Sequence, residues 1–401
     1  MTSYVPDSQH RILSIIAEKL IKIDAHLSRD FIEGVYRAVE DGGWEDNLVL
    51  SLDLLMKLLL TYVKENTHTD GVFCPSKAEP LVSCLLAIYT SHFLPTYNIV
   101  HAQYLLFYLA SLDLLLTQRF LAVTWRIFIS PNSASILRQT AMSYLASFLS
   151  RSSTVSTPQL LGHLTKLTSW AHSYVRNRES ADSGLDFMYT DLARHGPFYS
   201  ACQAIFYIFA FRHLELTSTP KRLKLVQGLA WHSLVACGLN PLRVCLPGTV
   251  LPGSSLYTVF LPGVVRNFSA CARHYQLAYC QAVIERNNRI NLPVVGSLSG
   301  GGGMNSKPLL LDCYFPYDPC VLKRTKSWIV PTYLEYHGLA GIQEDEEESD
   351  SEEENEEEQE EGAEKRQKRV RLDSSRSSIS SLDCSRTRSR QVGRLSIWLY
   401  G

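Results

Sequence analysis

The 401 residues contain no Cys-x-x-Cys pair, which argues against a zinc ribbon or a thioredoxin-like centre. They contain no P-loop, no Gly-x-Ser-x-Gly elbow, no His-Glu-x-x-His and no dinucleotide fingerprint, so the best-marked routes to nucleotide, acyl and zinc chemistry are missing. The twelve histidines show no ligand spacing. No metal, cofactor or catalytic residue is expected. The first residues, MTSYVPDSQHR, have no apolar stretch of the kind a secretory signal needs. A reducing compartment, cytosol or nucleus, is the matching expectation, with the ten cysteines acting mostly as small buried hydrophobes.

A membrane span is also missing. Residues 92–112 carry no Asp, Glu, Lys or Arg, yet they include His92, Pro95, Asn98, His101 and Gln103. Lipid would charge for each of those polar groups. Residues 198–211 (FYSACQAIFYIFAF) are more apolar but too short to cross about 30 Å of hydrocarbon. Both read as buried core helices.

What is present is helix after helix. Ile12, Ile16, Leu20, Ile23 and Leu27 recur at three and four residues, which is one helical stripe over 9–27. Leu48, Leu52, Leu55 and Leu59 predict a second helix over 47–64. Leu81, Leu85, Ile88 and Tyr89 mark a third. The pattern continues from Tyr104 to Leu116 and from Phe120 to Ile127. Thr157-Pro158 sets a capping hydroxyl before a proline, and Asn240-Pro241 repeats the device. Gly238 fits a C-terminal cap after Leu225, Leu229 and Leu234. Strand alternation is nowhere sustained. The fold expected is all-α: a HEAT-like helical-repeat solenoid over residues 1–340, followed by a disordered acidic and basic tail.

Composition divides the chain. Residues 1–340 carry 29 basic and 23 acidic residues. Within them, 245–265 holds three Leu-Pro-Gly triplets, each a turn that forbids a continuous helix, and 296–307 is glycine-rich and reads as a flexible loop. Residues 341–361 hold 14 acids and no base; residues 362–401 hold 10 bases and 3 acids. Neither tail segment has the apolar content to fold alone. Ser349 and Ser351 lie in EEESDSEEE, where following carboxylates suit an acidophilic kinase; a solvated acidic linker is the plain alternative. Lys365, Arg366, Lys368, Arg369 and Arg371 form a compact run suited to an importin groove. Ser374, Ser377 and Ser378 lie beside arginines, as basophilic kinases prefer.

Several strings together carry a resemblance. They are YVPDSQHRILSIIAEKLIKID (4–24), FLPTYNIVHAQYLLFYLAS (93–111), HGPFYSACQAIFYIFAFRH (195–213), LNPLRVCLP (239–247), YQLAYCQAVIERNNR (275–289) and FPYDPCVLKRTKSWIVPTY (315–333). In this order they resemble the RNA polymerase I-specific transcription initiation factors of the TIF-IA (Rrn) family. The positions that carry the match include His195, Gly196, Pro197, Phe198, Tyr199 and Ser200, then Asn240 and Pro241. Further on they include Glu285, Arg286, Asn287, Asn288, Asp318, Pro319 and Cys320.

The resemblance implies a non-enzymatic HEAT-repeat protein. It would bridge RNA polymerase I and the promoter-bound selectivity factor at ribosomal DNA, under the control of protein kinases, in the nucleus and nucleolus. It also implies a helical part preceding residue 4, so the stripe on 9–27 is expected to be partly exposed in this chain. It implies, too, that the Leu-Pro-Gly stretch 245–265 is an insertion. Arg126, Arg138 and Arg151 could give a weak contact with ribosomal DNA, although solvated helix ends are the simpler reading. The second reading is a generic HEAT-repeat adaptor such as a nuclear transport carrier. A third, a hydrolase using Cys202 with His195, needs an electropositive, partly exposed thiol, and Cys202 sits in an apolar run.

Overall fold

The computed structural model describes residues 6–27, 47–96, 99–181, 192–245, 264–277, 311, 315–317, 319–336, 338 and 342. All of them fall in the first of two units, which ends at Ile342. Among these residues the architecture is all-α, with one two-stranded hairpin. The acidic and basic tail segments, 341–361 and 362–401, lie outside the described residues except for Ile342.

Helix α1 spans Pro6–Asp24 and α2 spans Asn47–Thr67. A hairpin follows, His68–Thr69 against Val72–Phe73, turned by Asp70 and Gly71 at φ 52° and 80°. Asp-Gly suits such a turn because both central residues need positive φ. Helix α3, Pro75–Ile88, runs on into a π-helical turn, Tyr89–Phe93. Then come α4 (Tyr104–Ser111), α5 (Leu114–Ile129), α6 (Ser135–Arg151) and α7 (Thr157–Ala181). The long helix α8, Leu192–Leu216, is followed by the short α9 (Pro220–Gln227), α10 (Trp231–Val235) and α11 (Pro241–Val244). Helices α12 (Val264–His274) and α13 (Lys323–Ile329) complete the set.

Sequential helices pack as neighbours, as a solenoid requires, around α8. From His195 to Ala210 every residue of α8 is buried, against α6, α7 and α12. This confirms 198–211 as a core helix. No described helix is long and apolar enough to cross a membrane. At Arg212 the helix kinks (φ −112°). The buried guanidinium donates to the carbonyls of Leu149, Ser152 and Val155 and pairs with Glu215 at 2.6 Å. It thus satisfies carbonyls left over where α6 ends.

Several boundaries differ from the sequence reading, each for a local reason. In α1 the inward stripe is Leu13, Ala17, Leu20, Asp24 and Leu27, while Ile12 is exposed. The register follows Asp24, whose carboxylate accepts from the backbone N–H of Val100, His101 and Ala102 at 2.7–3.1 Å. Of the expected stripe, Ile12 is exposed while Leu20 and Leu27 are buried; Ile15, outside the stripe, is also exposed. The stretch from Tyr104 to Leu116 is two helices, because Asp113 turns extended and its Oδ1 caps Leu115 N–H at 2.8 Å. Helix α7 begins at Thr157, so the flanking residue is Ser156 rather than Thr157: Gln159 Oε1 accepts from Ser156 N–H and hydroxyl, the returning half of a capping box. Gly238 does not close a helix. The break falls at Ala230, which adopts φ 54° between α9 and α10. Asn240 is likewise left-handed at φ 43° and makes no side-chain cap.

The largest departure from a one-dimensional stack is the segment 315–336. It runs back across the body to the start of the chain. Tyr317 is fully buried among Tyr104, Phe107, Tyr144 and Phe148, with ring centroids 5.1–6.1 Å apart. Its N–H donates to Ser147 Oγ, and its carbonyl accepts from Tyr333 hydroxyl. Gln103 donates to the carbonyl of Pro316. Ser153 N–H bonds Thr332 O, and Leu334 N–H bonds Arg151 O. Finally Asp53 of α2 caps α13, accepting from Arg324 N–H, Thr325 N–H and the Thr325 hydroxyl at 2.8–2.9 Å.

Two outcomes follow. Tyr317→Ala empties a ring-sized volume and should lower unfolding free energy by about 3–5 kcal/mol, read by urea denaturation. His213 shares a 3.0 Å hydrogen bond with the Tyr275 hydroxyl, and burial, then His274, lowers its pKa below the ordinary 6.5. Burial, then Lys166, does the same to His163. Below pH 6.5 both rings are protonated less in the folded chain than in the unfolded one. Their contribution is therefore full above pH 6.5 and falls away as the pH drops below it. His213→Asn should flatten that acid loss in melts across this range.

Candidate functional surface

The residues that carried the resemblance sit in the interior. The His195 ring and the Tyr174 hydroxyl share a hydrogen bond of 2.8 Å. Phe198 stacks on Tyr174 at 5.1 Å. Tyr199 donates to Leu239 O at 2.9 Å, and Ser200 donates to Pro197 O. A Cβ on Gly196 would come within 2.5 Å of the Gln139 side-chain amide on α6, so any larger residue there would displace that amide. Asn240 and Pro241 form the left-handed turn into α11, and Pro319 and Cys320 belong to the returning segment. Glu285, Arg286, Asn287, Asn288 and Asp318 lie outside the described residues. So do Lys365, Arg366, Lys368, Arg369 and Arg371, and Ser349, Ser351, Ser374, Ser377 and Ser378.

Helix α8 does not arrange His195 and Cys202 as a dyad, since the imidazole is engaged with Tyr174. The Cys202 thiol is fully buried; burial first, then neighbouring Cys245 and Cys237, pushes its pKa well up. A thiol so held is a poor nucleophile. Cys271 is pushed up by burial to about 12. Among the described residues no His, Cys, Asp and Glu side chains converge as a metal site.

The three arginines considered for phosphate contact part company. Arg151 is buried, its guanidinium 4.7 Å over Phe211 and 5.4 Å over Tyr333, so it is neither a solvated helix end nor a phosphate ligand. Arg138 is half-buried and donates through Nε to Phe128 O at 2.7 Å. Only Arg126 of the three is exposed.

The comparison with known proteins decides the class. The family model described as "RNA polymerase I specific transcription initiation factor RRN3" matches residues 44–341. The chain belongs to this family. Its members are initiation factors, not enzymes. The chain is 33% identical over 363 residues to the mouse protein "RNA polymerase I-specific transcription initiation factor RRN3", covering 82% of this chain and 52% of that one. It is 27% identical over 343 residues to the Saccharomyces cerevisiae protein of the same description, covering 79% and 51%. The crystal structure of RNA polymerase I transcription initiation factor Rrn3 superposes with a TM-score of 0.65 at 26% identity, over 83% of this chain and 63% of that chain. The chain thus spans about half the length of these curated relatives.

The family match embraces α2 through α13, and the family strings within it are largely fold determinants. The outer faces of the described helices are what remain open to solvent. Sequence reasoning missed the most distinctive of these, a groove where α13 meets α2 and α4. Only the exposed cations and tryptophan of KRTKSW hinted at it.

Among the described cysteines, Cys74 alone is not buried, and its hydrogen bond with Ser76 lowers the thiol pKa. Iodoacetamide on the native chain should label Cys74 first of these. Cys202, Cys245 and Cys320 should react only after denaturation, as read by peptide mass mapping.

Proposed function

We propose that this chain acts in transcription initiation by RNA polymerase I as a non-catalytic bridge between the polymerase and the promoter-bound selectivity factor at ribosomal DNA. The observation that carries the reading is the family match across the folded body, from residue 44 to 341. A body of packed helices whose thiols and imidazoles are mostly engaged or buried supports work by surface complementarity. The role places the chain in the nucleus, and the nucleolus is where ribosomal DNA is transcribed. Protein kinases would act on Ser349, Ser351, Ser374, Ser377 and Ser378, where added charge tunes encounter and release.

Tagged chain in nuclear extract should co-precipitate RNA polymerase I. Capture of polymerase II in its place would overturn the assignment. The basic run supplies a second test. Alanine at Lys365, Arg366, Lys368, Arg369 and Arg371 should shift a fluorescent fusion from nucleus to cytoplasm, and undiminished nuclear signal would remove its import role.

A further inference from the structure

A groove of about 360 Å³ opens where the returning segment crosses the first helices. Lys64 of α2, Tyr108 and Leu112 of the α4 region, and Trp328 and Pro331 of the returning segment line it. Lys64 Nζ stands 5.6 Å over the Trp328 indole, and Tyr108 meets that indole edge-on at 5.6 Å. Ser111 also lines the groove; its hydroxyl is buried and makes no hydrogen bond among the described residues. Lys57 lies seven residues before Lys64, on the same side of α2. Arg324 and Lys326 are exposed on α13. Lys57, Lys64, Arg324 and Lys326 pair with no carboxylate among the described residues. Asp53, the acid between α2 and α13, is turned into the cap of α13.

We propose that this groove docks an acidic peptide segment of a partner protein, with one aliphatic side chain against Leu112 and Pro331 and flanking carboxylates on the surrounding cations. The charge complementarity requires an acidic occupant. Lys64 stands over the indole and the Tyr108 ring lies near-perpendicular to it, so the two rings do not form a flat platform for a stacked nucleobase. The hydroxyls of Ser327 and Thr332 donate to the carbonyls of Arg324 and Ile329 and keep lone pairs that can accept from a peptide backbone N–H. This proposal does not depend on which polymerase the chain serves.

The test is fluorescence anisotropy of a labelled DEELDEE peptide titrated with the full chain at low ionic strength. Binding should saturate, and Lys64→Glu and Trp328→Ala should each weaken it by about tenfold, as truncated anchors do. Lys64→Glu alters an exposed side chain, so it reads the site even if Trp328→Ala fails to fold. Lys221→Glu, the same charge change on α9, should leave binding intact, and the neutral peptide NQQLNQQ should not bind. Equal loss with Lys221→Glu would reduce the effect to net charge and overturn the proposal. Tighter Lys64-dependent binding of single-stranded DNA would overturn it too. So would tighter peptide binding after Glu352, Glu353 and Glu354 become Gln, because the acidic occupant would then be the chain's own.

Discussion

The burial of Tyr317 is the interaction on which the described architecture turns. Rings from α4 and α6 surround it, and Ser147 and Tyr333 take up its backbone N–H and carbonyl. A pure solenoid has contacts only between neighbouring repeats, and its stability is close to a sum of local terms. Here residues more than 270 positions apart are joined, Asp53 of α2 to Arg324 and Thr325 of α13. The returning segment makes α2, α4, α6 and α13 share one fate. It also creates a groove that combines exposed cations with aromatic rings.

The division of labour between interior and exterior follows from the same packing. His195, Phe198 and Tyr199 look like site residues in a string, because aromatic and polar types alternate there. In the fold they are a core that happens to need hydrogen-bond partners, and Tyr174 and Leu239 provide them. These side chains are engaged in packing and are not laid out as a reactive site. That agrees with a family of initiation factors rather than enzymes.

Legibility in the sequence tracked how local each cause is. The apolar run at 198–211 could only be a buried helix, and it is one. The hairpin turned by Asp70 and Gly71 was not read, because its strands are two residues each and too short to show alternation. The α1 stripe was misplaced because apolar periodicity ignores Asp24, whose carboxylate is satisfied 77 residues away at His101. Arg151 looked solvated because a helix-end arginine normally is; two rings brought from α8 and from the returning segment bury it instead. The string 315–333 was recognised only by resemblance, since nothing local says that Tyr317 will find four rings from other helices. The tail sites rest on charge pattern alone.

The central claim is that the returning segment is an integral part of the helical body. Native-state hydrogen exchange across a denaturant series tests it most directly. Amides of Tyr317, Arg324 and Thr325 should lose protection together with those of α4 and α6, in one cooperative opening. Exchange of those amides at low denaturant, while α4 and α6 stay protected, would contradict it.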